Sequence, residues 1–270
     1  MIFAISMPEC YKAPNMTNNL KEAYEALYLT NPMNNAWDTM CGRYKAENVH
    51  TVLRGHVNPA SSSLLECGSG NGGVLQWFPE FKSVYALDLS ETALHLLRGR
   101  TIPNLVEACA FDGYKIPYPD KFFDVTVCLH VLEHVEHPRL VLRELKRVSK
   151  LQVLEIPLDY SVGVDSKVEY FLGHGHINIF TPSTFKFLLK TEGFEILQER
   201  LTKPSKDVLR FDLYQNQKVK KTFLKELRMN LSPLKAAANR LVMGRKRFAE
   251  FTYKALTVLV QGTGELKIHA

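Results

Sequence analysis

Short apolar runs and longer stretches of helical periodicity alternate along most of the chain. The runs predict buried strands, whereas apolar residues spaced three and four positions apart predict helices. Strands are predicted at 63–66, 84–88, 105–110, 123–129, 151–156, 194–201 and 255–261, and helices at 18–29, 35–54, 139–150 and 183–192. Buried strands flanked by helical segments indicate an α/β fold with a parallel sheet.

A glycine-rich turn follows the first predicted strand. Its glycines are Gly68, Gly70, Gly72 and Gly73, and an apolar helical pattern comes next. Glycine is needed where the backbone approaches a ligand closely or adopts positive φ, and the start of a helix offers unpaired N–H groups. We therefore predict a strand–loop–helix unit that binds a nucleotide-like cofactor.

Two classes of cofactor use a turn of this kind, and the acids beside it discriminate between them. With Asp88 further on, the turn fits the dinucleotide pattern G-x-G-x-x-G, which ends at Gly73. It also fits E-x-G-x-G-x-G, which begins at Glu66 and ends at Gly72. A carboxylate at the strand end repels a pyrophosphate but suits the ammonium group of an amino-acid ligand, so Glu66 favours the second pattern.

Three further motifs follow in order: VYALDLS at 84–90, CAFDG at 109–113 and FFDVTVCLHVLEHVEHP at 122–138. With these motifs and the glycine turn, the chain resembles the class I S-adenosylmethionine (SAM)-dependent methyltransferases over residues 62–201. It looks closest to the small-molecule branch that includes the ubiquinone- and menaquinone-biosynthesis enzymes. The resemblance implies a Rossmann-like, seven-stranded, mostly parallel sheet with helices on both faces and an antiparallel last strand beside the sixth.

The resemblance also implies a role for each residue that binds the cofactor. Glu66 and the turn glycines Gly68, Gly70 and Gly72 hold the amino-acid part, Asp88 the ribose and Asp112 the adenine amino group, while Leu89 and Phe111 cover the ring and His130 lies at the mouth. The carboxyl ends of parallel strands bring these residues to one edge of the sheet, where ligands bind. Competing structural roles are a helix cap for Asp88 and a turn for Asp112 with Gly113.

Histidines offer further chemistry at two places. His130, Glu133 and His134 share one face if their segment is helical, and some relatives bind a metal ion through E-x-x-E-H there. Here a histidine replaces the first acid, and many relatives keep L-E-H without a metal, so no metal ligand is predicted. His174 and His176 follow the fifth strand, where a histidine either deprotonates a hydroxyl group or merely orders the loop. The catalytic candidates are therefore His130, His174 and His176.

Composition limits the classes of protein to consider. The chain has 270 residues, 46% of them hydrophobic, and a net charge of +6. No apolar stretch has the length of a membrane span, and the first residues lack the basic segment of a signal peptide. The five cysteines are odd in number and lack metal-site spacing, so we expect buried thiols and a cytoplasmic protein.

Positive charge is concentrated in residues 215–248, where ten lysines and arginines stand against one acid, Glu226. Leucines at helical spacing predict a basic amphipathic helix, or two helices broken near Ser232 and Pro233. The simplest interpretation is a solvated helical cover over the sheet. The alternatives are contact with a membrane surface, with a nucleic acid or with an anionic substrate.

These predictions divide the chain into an N-terminal arm and helical cap (1–57), a SAM-binding core (58–214), the basic insertion (215–252) and a last strand with a tail (253–270). In the cap, Trp37 and Tyr44 are candidates for closing the substrate pocket. The predicted function is methyl transfer from SAM to a small-molecule acceptor, with oxygen the preferred acceptor atom. An NAD-dependent oxidoreductase and a non-catalytic SAM-binding partner protein are the alternatives, and the oligomeric state is left open.

Overall fold

The structure is a computed structural model that describes residues 18–30, 35–160, 164, 168–173, 175–216 and 218–267. Its strands are β1 (Ser63–Cys67), β2 (Ser83–Asp88), β3 (Leu105–Ala110), β4 (Phe123–Leu129), β5 (Ser149–Pro157), β6 (Phe194–Thr202) and β7 (Ala255–Gly262). They form one sheet in the order β3-β2-β1-β4-β5-β7-β6. The neighbouring pairs are parallel except those of β7, which is antiparallel to β5 and β6. The predicted fold class is confirmed.

Eight α-helices accompany the sheet within the described ranges. They are α1 (Asn18–Thr30), α2 (Asn35–Leu53), α3 (Glu91–Arg98), α4 (Pro138–Val148), α5 (Val168–Gly173), α6 (Pro182–Thr191), α7 (Lys206–Phe211) and α8 (Phe223–Thr252). Helix α6 begins at a capping box, in which the side chains of Thr181 and Thr184 bond each other's backbone N–H groups. Both α4 and α6 begin with proline at the first helical position. Proline is tolerated there because an N–H group at this position would have no acceptor within the helix.

Two apolar cores lie against the sheet. One includes Leu142 of α4 and Phe185 of α6, and the other includes Val49 of α2. In β4 the adjacent residues Val127 and Cys128 belong to different cores, because successive side chains of a strand point to opposite faces. The helices therefore cover both faces, as expected.

The order of the strands creates a crevice above β1. From β1 the chain proceeds to β2 and β3 on one side, and then returns to β4 and β5 on the other. The carboxyl ends of the strands diverge at this reversal, which is where ligands bind in open α/β sheets.

The prediction of a helix directly after the glycine turn is wrong. The structure has only a 3₁₀ turn there, at Leu75–Trp77. Gly72 has φ of 78°, which no right-handed helix adopts. Pro79 disfavours helical geometry at Phe78, so the segment cannot extend into a longer helix.

Of the two alternatives predicted for the basic insertion, the break near Ser232 and Pro233 is not observed. Helix α8 continues through Ser232 and Pro233, and its non-helical residue is Gly244, with φ of 73°. Leu241 and Val242 are 86% and 87% exposed. The helix packs against α6, and these apolar side chains do not cover the sheet.

Three cysteines of the strands, Cys67, Cys109 and Cys128, are buried and belong to no disulfide, as predicted. Among the residues that the structure describes, no helix combines the length and the apolar character needed to cross a membrane.

Candidate functional site

The glycine turn lies where β1 ends, in the crevice of the sheet. Gly68, Gly70 and Gly72 have φ of 78°, 52° and 78°, which side chains with a Cβ rarely adopt. A Cβ at Gly68 would also overlap the side chain of Val131. The Gly68 N–H donates to the carbonyl oxygen of Leu87 at 2.8 Å, so the turn is held against β2.

Asp88 ends β2 beside this turn. Its two oxygens accept hydrogen bonds from the Gly70 N–H at 2.7 Å and the Ser90 N–H at 3.0 Å. Ser90 caps α3 with its own side chain, which accepts from the Ala93 N–H. Burial raises the pKa of Asp88, although the N–H groups of Ser90 and Gly70 oppose the shift. Each carboxylate oxygen has a further lone pair, which suits hydroxyl donors.

Glu66 lies near the end of β1 and is 2% exposed. Its Oε2 accepts no hydrogen bond from the described part of the chain. Burial raises the pKa of Glu66 to about 8, and the charge of Lys45 offsets only part of this effect. A buried carboxyl group in this state is stabilised by a cationic donor.

Two cavities adjoin at the turn. The smaller, of about 160 Å³, contains Asp88, and the larger, of about 430 Å³, contains Glu66. Tyr28, Gly68 and His130 line both of them. The cavities therefore form one cleft, with Asp88 in its smaller part and Glu66 in its larger part.

The residues predicted to contact adenine lie at the end of the cleft that contains Asp88. Leu89 and Phe111 line this cavity. Asp112 forms the competing turn, since its Oδ1 accepts from the N–H groups of Tyr114 and Lys115 at 2.8 and 2.6 Å. Its contact with adenine stays a prediction.

The N-terminal helices close the cleft from above. Tyr24 and Tyr28 of α1 line the smaller cavity, and Tyr44 of α2 lines the larger one. The Tyr44 hydroxyl donates to the carbonyl oxygen of Lys203 at 2.9 Å. The side chain of Trp37 lies outside the described residues.

Glu25 attaches α1 to the start of α3, a contact that sequence reasoning missed. Its carboxylate accepts from the Ser90 hydroxyl at 2.9 Å and from the Glu91 and Thr92 N–H groups at 2.7 and 3.1 Å. Burial would raise the pKa of Glu25, but the hydrogen bonds outweigh burial and lower it. Sequence carries little signal for such a contact, because Glu25 occupies an ordinary polar helix position.

His130 belongs to a buried polar network. Its Nε2 lies 3.1 Å from Oε1 of Glu155, whose carboxylate also accepts from Asn48 Nδ2 at 2.9 Å and from the Thr257 hydroxyl. Sequence reasoning missed Glu155, although an acid inside the apolar strand β5 is a detectable signal. Burial would raise the pKa of Glu155, but His130 outweighs it and the pKa is lowered.

The segment of His130, Glu133 and His134 is not helical, so the condition under which the three would share one face is not met. Residues 132–134 form a turn, and His130 has φ of 56°, outside the right-handed helical region. His130 Nδ1 lies 3.4 Å from Glu133 Oε1. Burial would lower the pKa of His130, but Glu133 and Glu155 on its two sides outweigh burial and raise it.

Of the two histidines predicted after β5, the structure describes only His176. His176 Nδ1 lies 2.6 Å from Oδ2 of Asp159, and the His176 ring contacts that of His134 edge-on at 4.9 Å. Burial lowers the pKa of His134. His174 lies outside the described residues.

Comparison with known proteins agrees with this geometry. Residues 65–152 match the family model described as a methyltransferase domain. The match runs from β1 into β5 and includes the glycine turn, Asp88 and His130. Residues 65–152 thus carry a methyltransferase domain of the matched family.

Curated relatives of this methyltransferase domain are enzymes of quinone biosynthesis. The ubiquinone/menaquinone biosynthesis C-methyltransferase UbiE of Paraburkholderia xenovorans (strain LB400) is 28% identical over 126 residues, 44% of this chain and 51% of that protein. The enzyme of the same name from Burkholderia multivorans (strain ATCC 17616 / 249) is 27% identical over 115 residues, 40% of this chain and 47% of that protein. The chain thus spans about half the length of these relatives.

Solved structures extend the likeness of fold beyond the matched segment. Magnesium protoporphyrin IX methyltransferase (ChlM) from Synechocystis PCC 6803 with bound SAH has a TM-score of 0.59 at 13% identity, covering 92% of this chain and 100% of that one. Geranyl diphosphate C-methyltransferase from Streptomyces coelicolor A3(2) has a TM-score of 0.57 at 12% identity, covering 82% and 78%. These similarities concern the fold.

The cleft of the methyltransferase domain fits SAM, the cofactor of this class. SAM carries an ammonium group, a ribose and an adenine in sequence. The orphaned oxygen of Glu66 suits the ammonium group, the carboxylate of Asp88 suits the ribose hydroxyls, and the apolar side chains of Leu89 and Phe111 suit the adenine ring.

Proposed function

We propose that this chain is a SAM-dependent methyltransferase that acts on a small-molecule acceptor. The observation that carries the proposal is the buried carboxyl group of Glu66, with an oxygen that lacks a partner among the described residues. A pyrophosphate at this place would meet a like charge, whereas the ammonium group of SAM supplies the missing donor and charge. The names of the curated relatives support the same activity.

Bound SAM supplies a methyl group on a sulfonium, which is already activated for transfer. The task of the chain is therefore alignment of the two reactants. Glu66 and the glycine turn hold the amino-acid part, and Asp88 holds the ribose. Asp112 takes the adenine amino group through its second oxygen. The larger cavity beyond Glu66, which Tyr44 and Glu155 also line, has room for the acceptor.

Oxygen is the proposed acceptor atom, because a hydroxyl group must lose its proton and histidines surround the cleft. His130 lines both cavities and lies where cofactor and acceptor meet. His174 and His176 remain candidates for taking the proton, and a hydrogen bond to Asp159 already orients His176.

Carbon is the second candidate, because the curated relatives are named as C-methyltransferases. A phenol with an unsubstituted ring carbon beside the hydroxyl group offers both acceptor atoms. Incubation with methyl-labelled SAM and NMR of the product distinguish a methoxy group from a ring methyl group. A ring methyl group alone would contradict oxygen transfer while leaving the cofactor assignment intact.

Calorimetric titration with SAM, S-adenosylhomocysteine and NAD⁺ tests the proposed activity at its first step. We expect the two adenosyl compounds to bind and NAD⁺ not to bind. Binding of NAD⁺ alone would contradict the proposal and show that the glycine turn binds a dinucleotide. Binding of SAM without turnover across a panel of phenols, quinols and amines would favour a non-catalytic SAM-binding protein.

We also propose that α8 contacts an anionic membrane surface. Leu241 and Val242 are exposed, and so are the neighbouring basic residues Arg240, Arg245 and Lys246. Exposed apolar side chains beside basic ones are typical of helices that lie in a lipid interface. A nucleic acid would use the basic charge without needing the exposed leucine and valine.

Co-sedimentation with vesicles tests this contact. We expect binding to vesicles that contain phosphatidylserine, weaker binding at high salt, and loss of binding in Leu241→Glu/Val242→Glu. Lys82→Glu, a charge reversal before β2, serves as the matched control. Equal binding to phosphatidylcholine vesicles, or binding to RNA that survives the Leu241→Glu/Val242→Glu change, would contradict the proposal.

A further inference from the structure

We propose that the methyl acceptor carries a carboxylate and that Lys254 holds this group, a proposal that rests on the function proposed above. The charged side chains that line the larger cavity are Lys45, Glu66, Glu155 and Lys254, with His130 where the two cavities adjoin. Each of these charges except that of Lys254 has a partner within the chain or in bound SAM.

The two acids of the larger cavity need no cation from the acceptor. The carboxylate of Glu155 accepts hydrogen bonds from Asn48 and Thr257 and lies 3.1 Å from His130 Nε2. Glu66 is the acid assigned to the ammonium group of SAM. A positively charged acceptor would therefore find no carboxylate left to bind it in this cavity.

Lys45 of α2 belongs to the part of the cavity that contains Glu66. Burial raises the pKa of Glu66, and the charge of Lys45 offsets part of this effect. The hydroxyl group of Ser69, 6% exposed, lines the same cavity and has no hydrogen-bond partner in the described part of the chain. The carboxylate of SAM is bonded to the same carbon atom as its ammonium group, so Lys45 and Ser69 are available to that carboxylate.

Lys254 is the cation of the cavity wall that SAM leaves over. Its ammonium group forms no hydrogen bond or ion pair with a residue in the described ranges. Its backbone is fixed, since its N–H donates to the carbonyl oxygen of Thr202 at 2.9 Å and its carbonyl oxygen accepts from the Leu158 N–H at 2.9 Å. These bonds hold Lys254 beside the carboxyl ends of β5 and β6, at the edge of the sheet that also contains the glycine turn.

A second lysine adds positive charge at this end of the cavity. Burial lowers the pKa of Lys203, and the charge of Lys254 lowers it further. Lys203 Nζ lies 5.2 Å from the ring centroid of Phe248 and 5.5 Å from that of Tyr253. Two like charges held near each other repel, and a bound anion relieves the repulsion.

The surroundings of Lys254 favour a carboxylate on a small apolar body. A lysine ammonium is a point charge that suits one carboxylate, whereas phosphates are usually held by several cations or by the planar fork of arginine. Pro204, Val208 and Ala255 line the same cavity and offer apolar contacts. The acceptor then extends from His130, where it meets the cofactor, to Lys254.

Calorimetry with the full chain loaded with S-adenosylhomocysteine tests the proposal without turnover. The probes are 3,4-dihydroxybenzoate and 3-(4-hydroxyphenyl)propanoate, each compared with its neutral carboxamide. In at least one pair we expect the carboxylate to bind about tenfold more tightly than the amide, as a charge-assisted hydrogen bond at an exposed lysine allows. Lys254→Gln abolishes this preference and Lys254→Arg keeps it. Lys190→Gln, at an exposed position of α6, is the control and leaves it unchanged.

The outcomes separate this proposal from the proposed function. Failure of S-adenosylhomocysteine to bind would overturn both. Binding of S-adenosylhomocysteine without a preference for the carboxylate in either pair, or without binding of any probe, would overturn the role of Lys254 alone. A preference that persists in Lys254→Gln would also overturn it and would assign the carboxylate to Lys45. Because Lys254 is exposed, we expect Lys254→Gln to fold, and an unchanged affinity for S-adenosylhomocysteine verifies this.

Discussion

Two pairs of buried carboxylates lie along the same edge of the sheet and titrate in opposite directions. At the glycine turn, burial raises the pKa of Glu66 and of Asp88. In the turn after β4 and in β5, burial is outweighed by His130, and the pKa of both Glu133 and Glu155 is lowered. All four groups are nearly inaccessible to water, so the difference comes from their neighbours.

The contrast teaches which part of the cleft needs a ligand. His130 lies between Glu133 and Glu155 and balances negative charge from within the chain. Glu66 is only partly compensated by the charge of Lys45, and its Oε2 accepts no hydrogen bond from the described residues, so it depends on a cation from outside. Depth of burial alone therefore does not mark a binding site; burial without internal compensation does.

The largest expected effect is loss of cofactor binding in Asp88→Ala. The change removes the ribose acceptor and also the bonds to the Gly70 and Ser90 N–H groups that shape the turn. Hydrogen bonds to a charged group contribute about 1.5–3 kcal/mol each, so we expect the affinity for SAM to fall by about 100-fold or more. Calorimetry measures it, with Asp120→Asn at an exposed position as the control. An unchanged affinity would remove Asp88 from the site.

The next expected effect is a pH dependence of the affinity for SAM. It should come from the glycine-turn pair alone, through Glu66. Because burial raises the pKa of Glu66 to about 8 in the ligand-free chain, the acid must lose a proton to bind an ammonium group. Affinity for SAM should therefore rise with pH, by up to about tenfold per unit, from about pH 6 until the amino group of the ligand deprotonates near pH 8.

Two comparisons test whether Glu66 is the origin of this pH dependence. Glu66→Gln should flatten the pH profile of SAM affinity, and 5′-methylthioadenosine, which lacks the amino-acid part, should show no slope with the unmodified chain. If the slope persists in Glu66→Gln, a group other than Glu66 is responsible for the pH dependence of SAM affinity.

Among the carboxylates that His130 compensates, Glu155 can be tested by Glu155→Ala, which disrupts the hydrogen-bond network around His130. It leaves His130, Asn48 and Thr257 without their shared acceptor. We expect a loss of about 3 kcal/mol in the free energy of unfolding, since buried donors would lack partners. Urea unfolding measures the loss, and Glu195→Ala at an exposed position of β6 is the control. A change equal to that of the control would show that the network contributes nothing.

The smallest effect is expected from Glu25→Gln, which keeps the shape of the contact to α3 but removes its charge. Because Glu25 is partly exposed to solvent, we expect a loss of only about 0.5 kcal/mol. The pKa of Glu25 is lowered by folding, so this stabilisation is present above the ordinary pKa of glutamate and is lost as pH falls through the lowered value. Unfolding of both proteins at neutral and acidic pH checks it; a difference that grows at low pH would contradict the sign.

Local patterns were sufficient for most of the fold. Strands β3 and β4 have the predicted bounds, because β-branched and aromatic runs between helical stretches leave few alternatives. The missing helix after the glycine turn shows the limit of such patterns. There the apolar periodicity was helical, but positive φ at Gly72 and the proline at 79 prevailed.

The sequence by itself determined the α/β architecture, the glycine turn and the positions of Glu66 and Asp88, since each follows from neighbouring residues and the carboxyl ends of strands. Only the tertiary structure decided that Glu155 holds His130, that Glu25 anchors α1, and that His176 meets Glu133 and His134. These contacts join residues far apart in the chain. Their partners and charges, and hence the opposite pKa shifts, arise only when packing removes water from between them.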